Sequence, residues 1–211
     1  VLTMPESLAK LSARMRACRI CIETPKGRPL PHAPRPVFQA GSAARLLIAG
    51  QAPGTRVHAS GRPFTDPSGV RLRQWLGVDE TLFYDERKVA LVPMGFCFPG
   101  QDAKGGDLPP RPECAQAWRA SLLAHLKNVE LIVCLGRPAQ LWHLGELAGA
   151  DLTAAVRNWR RAYAFTPRIL PLPHPSWRNN AWLNRNPWFA EELLPVLRQD
   201  VADLFRKHGS A

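Results

Sequence analysis

No stretch of the 211 residues is a long unbroken apolar run, so no bilayer-spanning helix is expected, and no secretory leader is expected ahead of the first helix. The chain is also short of acid. Seventeen Asp and Glu stand against 28 Lys and Arg, a formal charge of +11, which suits a polyanionic partner and nucleic acid first. Internal repeats are missing, as is any low-complexity tract beyond one proline-rich stretch, which excludes solenoids and arrays. The expectation is a single domain over 1–211, soluble, cytoplasmic and nucleoid-associated in the manner of a bacterial protein, without membrane contact and monomeric.

What is present is an alternation of short apolar runs with amphipathic stretches. Leu46, Leu47, Ile48 and Ala49 stop at Gly50, and 88–92 stops at Pro93. Residues 131–135 pass through Gly136 into a helix opening near Pro138, and 168–172 deliver Pro173, His174, Pro175 and Ser176. Such runs suit strands buried on both faces. Helical spacing of Leu, Val, Met and Trp predicts helices over 4–15, 68–76, 112–126 and 187–205. The class is therefore α/β, a three-layer α/β/α sandwich with a central, mostly parallel four-stranded sheet. The loops after Ala49, Val92, Leu135 and Leu172 gather on one rim. Pro25, Pro29, Pro31, Pro34 and Pro36 rule out regular structure over 23–41 and predict an arm laid over the body, and 95–112 reads as a long irregular loop.

The richest stretch is 45–69, RLLIAGQAPGTRVHASGRPFTDPSG. Its strand empties into Gly50, Gln51, Ala52, Pro53 and Gly54, a tight turn at a strand's carboxyl end, where open α/β sheets take their ligands. Residues 61–66 then present the Phe64 ring beside the Asp66 carboxylate, just before Ser68 opens a helix. The plain alternative is a strand, a turn and a helix with an ordinary hydrophobic anchor. Taken in order, GQAPG, GRPFTDPSG and the distant His174-Pro175-Ser176 resemble the uracil-DNA glycosylase superfamily. Its iron–sulfur branch, family 4, reads GEAPG and then GRPF, and the related family 5 reads GRxFTGDxSG. The resemblance runs from Cys18 to about Val201.

The resemblance implies a monofunctional enzyme of base excision repair that hydrolyses the N-glycosidic bond of uracil in DNA, with some tolerance of other deaminated bases. Extruding the nucleotide costs a few kcal/mol, which the pocket must offset. Phe64 is implied to stack on the base, a contact worth roughly 1–3 kcal/mol. Gly50, Gln51 and Ala52 line the base pocket with Ser176. His174 faces O2, where a donor aimed at developing negative charge contributes roughly 3–4 kcal/mol. The loop carrying Trp177, Arg178 and Asn179 enters the duplex and meets phosphates.

Several positions depart from the superfamily pattern. Ala52 stands where GQDPY has its water-activating Asp, and Gln51 stands where family 4 has Glu. An amide is no base near neutral pH, though its oxygen can orient a water. Asp66 is the nearest replacement, and otherwise a turn residue and helix cap. Pro93 occupies the place of a base-reading Asn, which leaves the backbone groups of Met94 and Gly95 to read the base, as in family 5. Gly54 replaces the Tyr that excludes the thymine methyl.

Of the five cysteines, Cys134 sits within an apolar run and reads as a small core residue. Cys18, Cys21, Cys97 and Cys114 lie in loops or at helix ends, a metal-ligating pattern open to zinc or iron–sulfur by ligand type alone. The resemblance implies a 4Fe-4S cluster, pinning the proline-rich arm to the 95–112 loop. Two readings from other classes stand beside the enzyme: a non-catalytic or covalent binder of uracil-containing DNA, and a zinc-stabilised nucleic-acid-binding module. A lyase is disfavoured, because no Lys lies in the three motifs.

Overall fold

The computed structural model describes residues 6–206. Four strands form at the four apolar runs: β1 Leu46–Ala49, β2 Val89–Leu91, β3 Leu131–Leu135 and β4 Arg168–Leu172. They pair in the order β2-β1-β3-β4 and every pair is parallel, so the sheet is wholly rather than mostly parallel. Successive side chains alternate between faces. Leu47, Ala90, Ile132 and Cys134 pack on one side with Leu11, Met15 and Leu122, while Leu46, Ile48, Val133 and Leu170 pack on the other with Leu72, Leu76 and Leu197. Burial on both faces is why each strand reads as an unbroken apolar run. It also yields the expected α/β/α sandwich.

The helices follow their expected positions with shifted ends. Leu8–Arg16 is capped by Ser7, whereas Met4, where that helix was expected to open, lies outside the described residues. Pro67–Leu76 and Leu194–Arg206 cover the second face of the sheet. Ahead of the latter, Phe189–Leu193 forms a π turn. The segment expected over 112–126 is helical over Pro112–Cys114, widens to a π turn at Ala115–Arg119 and closes over Ala120–Leu123. In that wide turn the consecutive residues Trp118 and Arg119 both reach inward. Arg119 is fully buried and donates at 3.1 Å to the carbonyls of both Val92 and Pro93, with its other terminal nitrogen 2.6 Å from His143 Nε2. Guanidinium has no acceptor to offer, so the imidazole accepts and is neutral. Burial and the neighbouring charge push His143 down to about 3. Arg119 thus holds the chain where it leaves β2.

The proline-rich arm ends as a rail along the open edge of β2. Gln39 and Leu91 exchange backbone hydrogen bonds of 3.0 and 2.8 Å in an antiparallel bridge, and the Val37 N–H donates to Phe96 O at 2.7 Å. An exposed strand edge is covered in this way. Arg35, on the same arm, donates to the His58 and Ala59 carbonyls at the end of the helix Thr55–Ser60. No helix among the described residues is long and apolar enough to cross a membrane.

Candidate active site

Strand order reverses about β1, which has β2 on one side and β3 on the other, so the loops leaving β1 and β3 diverge at their carboxyl ends and open a crevice. At its base the Gln51 amide lies directly on Gly136, whose φ is 78° and where any β-carbon would overlap that amide. Above it opens a cleft of about 860 Å³. Its walls include four loops: the turn with Gly50, Gln51 and Ala52, the 61–68 segment with Phe64 and Asp66, the irregular loop after β2 with Pro99, Gln101 and Asp107, and the segment after β4 with His174, Ser176 and Trp177. Phe64 and His174, far apart in the chain, therefore share one cavity.

Phe64 holds an unfavourable backbone conformation. Its φ of 56° makes it the one non-glycine residue at positive φ among the described residues, a strain of order 1–3 kcal/mol that surrounding structure must hold in place. Tyr84 supplies part of the hold, its hydroxyl donating to Pro63 O at 2.7 Å and Phe64 O at 3.2 Å. Phe83 meets the ring edge-on at 5.9 Å between centroids. Gly69 lies so close beneath that a β-carbon there would overlap the Phe64 carbonyl. The ring tip faces Gly50, 3.5 Å from where a β-carbon would stand. Gly69→Ala is therefore expected to cost roughly 1–3 kcal/mol by overpacking, read as a lower urea midpoint.

Asp66 occupies the N-cap position of Pro67–Leu76, and Ser68 Oγ lies 2.8 and 2.9 Å from its two carboxylate oxygens. It faces His174 within the cleft. Burial lowers the His174 pKa, Asp66 and then Asp107 pull it back up, and Arg178 lowers it again, for a net fall from the ordinary histidine value. The ring is thus mostly neutral at pH 7. Its loop is fastened from behind by Asn179 Nδ2, which donates to the His174 carbonyl at 2.7 Å. That side chain, expected to face the duplex, is engaged inside the loop. Trp177, by contrast, is 72% exposed at the rim, with the Arg178 guanidinium 5.6 Å from its ring.

Met94 and Gly95 stand apart from the expectation. Neither lines the cleft, and their N–H groups donate to the Gly50 and Gln51 carbonyls at 3.0 and 2.8 Å. Their amides brace the β1 turn rather than being free to read a base. Three charged cleft residues were not singled out from sequence: Arg56, Arg71 and Asp107. Arg71 donates to Ser176 O at 3.2 Å and Asn180 Oδ1 at 2.8 Å, tying the first-turn helix Pro67–Leu76 to the His174 loop. Its position three residues, about one helical turn, beyond Ser68 is the only sequence signal for it.

Cys18, Cys21, Cys97 and Cys114 line a second, small pocket walled by Met15, Pro34, Pro36, Phe96 and Trp118. Cys21 Sγ and Cys114 Sγ are 3.9 Å apart, and Trp118 Nε1 donates to Cys18 Sγ at 3.2 Å. Among the described residues no three His, Cys, Asp or Glu side chains stand close enough together to hold a single ion. Burial pushes both Cys21 and Cys97 up to about 12, with Cys114 adding to the effect on Cys21. Cys134 lies apart, fully buried within β3.

A family model described as the uracil DNA glycosylase superfamily matches residues 38–198. The match takes in all four strands, Cys97, Cys114 and the four loops that wall the cleft, and it begins after Cys18 and Cys21. By that match and by the sheet and cleft it spans, the chain belongs to the uracil DNA glycosylase superfamily.

Proposed function

We propose that this chain is a monofunctional DNA glycosylase that releases uracil, and other deaminated bases, by hydrolysing the N-glycosidic bond. The observation that carries the reading is the meeting of Phe64 and His174 in one cleft. A flat base extruded from DNA fits between an aromatic face and a hydrogen-bond donor. Phe64 stacks on it, and the neutral His174 ring donates an N–H to O2 as the bond to the sugar weakens and charge gathers on the base. Asp66, held by Ser68, supports His174 and the positive charge developing on the sugar. Gln51, Gly50, Ala52 and Ser176 shape the base pocket, with Gln51 placed to orient a water.

Arg56 and Arg178 at the cleft rim meet phosphates, consistent with the charge of +11, and Trp177 fills the gap left in the duplex. Among the described residues no Lys lines the cleft, which favours hydrolysis over imine formation there. For the second pocket the reading is a 4Fe-4S cluster held by Cys18, Cys21, Cys97 and Cys114. Four thiols gathered in one pocket with apolar walls suit it. The cost of holding thiolates there is one that a bound cluster offsets, and the Trp118 N–H suits a cluster sulfur ligand.

The test is release of free base from oligonucleotides carrying uracil, hypoxanthine or xanthine, followed by alkaline cleavage at the abasic site. Uracil release with a strand cut only after alkali is expected. A stable mass increase of the protein on uracil-containing DNA, with no more than one uracil released per protein, would replace the reading by covalent capture.

A further inference from the structure

The proposed reaction needs a proton acceptor for water, and the β1 turn offers none: Ala52 carries a methyl group and Gln51 an amide that lies against Gly136. Asp66 is partly committed, with the Ser68 hydroxyl against both its oxygens. A second carboxylate enters the cleft from elsewhere. Asp107 belongs to the irregular loop between β2 and the helical segment at Pro112, where an antiparallel bridge to Gln101 folds the chain back on itself. Leu108 N–H closes the same fold onto Gly100 O at 2.9 Å. Gln101 Nε2 donates to Asp107 Oδ1 at 3.2 Å and to Gly105 O at 3.2 Å, which sets the plane of the carboxylate. Oδ2 then turns to Gly54, 3.3 Å from where a β-carbon on that residue would stand.

The β1 turn is cut to fit. Ala52 and Gly54 on either side of Pro53 leave room that a larger side chain at either place would fill, and a carboxylate from another loop occupies the Gly54 side of it. We propose that Asp107 is the catalytic residue that takes the proton from the attacking water, in place of an acid on the β1 turn; the proposal rests on the glycosylase reading. The C1′–N1 bond breaks and its electron pair leaves with the base, whose O2 meets the His174 N–H. The water oxygen bonds to C1′, and one water proton passes to Asp107 Oδ2. That proton returns through solvent to the released base anion, leaving neutral uracil and an abasic deoxyribose. Asp66 and Asp107 line the same cleft as His174, and both carboxylates raise its pKa against the effect of burial. Asp107 is exposed at the cleft wall, so replacing it removes no core contact.

The experiment is single-turnover uracil release by the full chain, comparing the parent with Asp107→Asn and Asp66→Asn. Alongside it, affinity is measured by fluorescence anisotropy on an oligonucleotide bearing 2′-fluoro-deoxyuridine, which resists cleavage. Asp107→Asn is expected to slow release by roughly 10²–10⁴-fold, the span typical of a lost general base, with unchanged affinity. An Asp107→Asn chain that keeps the parent rate overturns the assignment and leaves the glycosylase reading intact. A lost rate accompanied by equally lost affinity also overturns it, since Asp107 would then act in binding. A parent that releases no base from any deaminated oligonucleotide overturns both.

Discussion

His174→Ala is expected to slow single-turnover uracil release by about 10²–10³-fold, the loss typical of removing one donor to a developing oxyanion, with little change in affinity for uracil-containing DNA. Affinity should hold because the stack on Phe64 and the phosphate contacts form before the bond breaks, while the O2 contact strengthens only as charge arrives. The pH dependence separates two forms of the donor. Burial outweighs the pull of Asp66 and Asp107, so the ring loses its proton below the ordinary histidine value. The parent rate should therefore hold as pH rises from about 6.5 to about 8.5, because the neutral ring is already the working form. If imidazolium were the donor, the rate would fall through that window. The same lowered value favours the fold above the unfolded-state pKa of about 6.5, and that contribution is lost as pH falls.

The parts of this molecule that were legible in sequence are those where one physical requirement acts alone. A parallel strand covered on both faces must be apolar at every position, so β1, β3 and β4 showed their limits to within a residue. The cleft loops were legible because Gly50 and His174 sit in short motifs at strand ends and Phe64 in a short motif between two helices. What escaped depended on partners distant in the chain. Arg119 lies in an amphipathic segment where a charge reads as solvent-facing, and only the π turn and the Val92 and Pro93 carbonyls turn it inward. Met94 and Gly95 offered backbone amides as readers, but the register of β2 beside β1 spends those amides on Gly50 and Gln51. The helix Thr55–Ser60 has only Val57 buried, too little for a period to show. Asp107 lies in a Gly- and Pro-rich loop with no local pattern, and its meeting with Gly54 exists only in three dimensions.

Replacing Cys114 by Ser should have the widest effect of any single change, because the proposed cluster joins the first helix, the proline-rich arm and the irregular loop at one point. Cys18 and Cys21 sit where the first helix gives way to the proline-rich arm, Cys97 opens the irregular loop, and Cys114 ends its far side. That loop carries Pro99, Asp107 and Pro110, all cleft residues, and the arm covers β2 through Gln39. A ligand group formed only in the folded state adds its binding free energy to folding. Its loss should lower the melting temperature by on the order of 10 °C, each kcal/mol being worth about 2–4 °C in a chain of this size. Limited proteolysis should then cut within 23–41 and 95–112 before it cuts the sheet. Absorption near 400 nm, with iron and acid-labile sulfide, should be present in the parent, absent in Cys114→Ser and retained in Cys134→Ala, whose thiol lies apart in β3. A single equivalent of zinc without sulfide would make the pocket a zinc site. No metal at all, with unchanged melting in Cys114→Ser, would mean that hydrophobic packing around Met15, Phe96 and Trp118 holds the arm unaided.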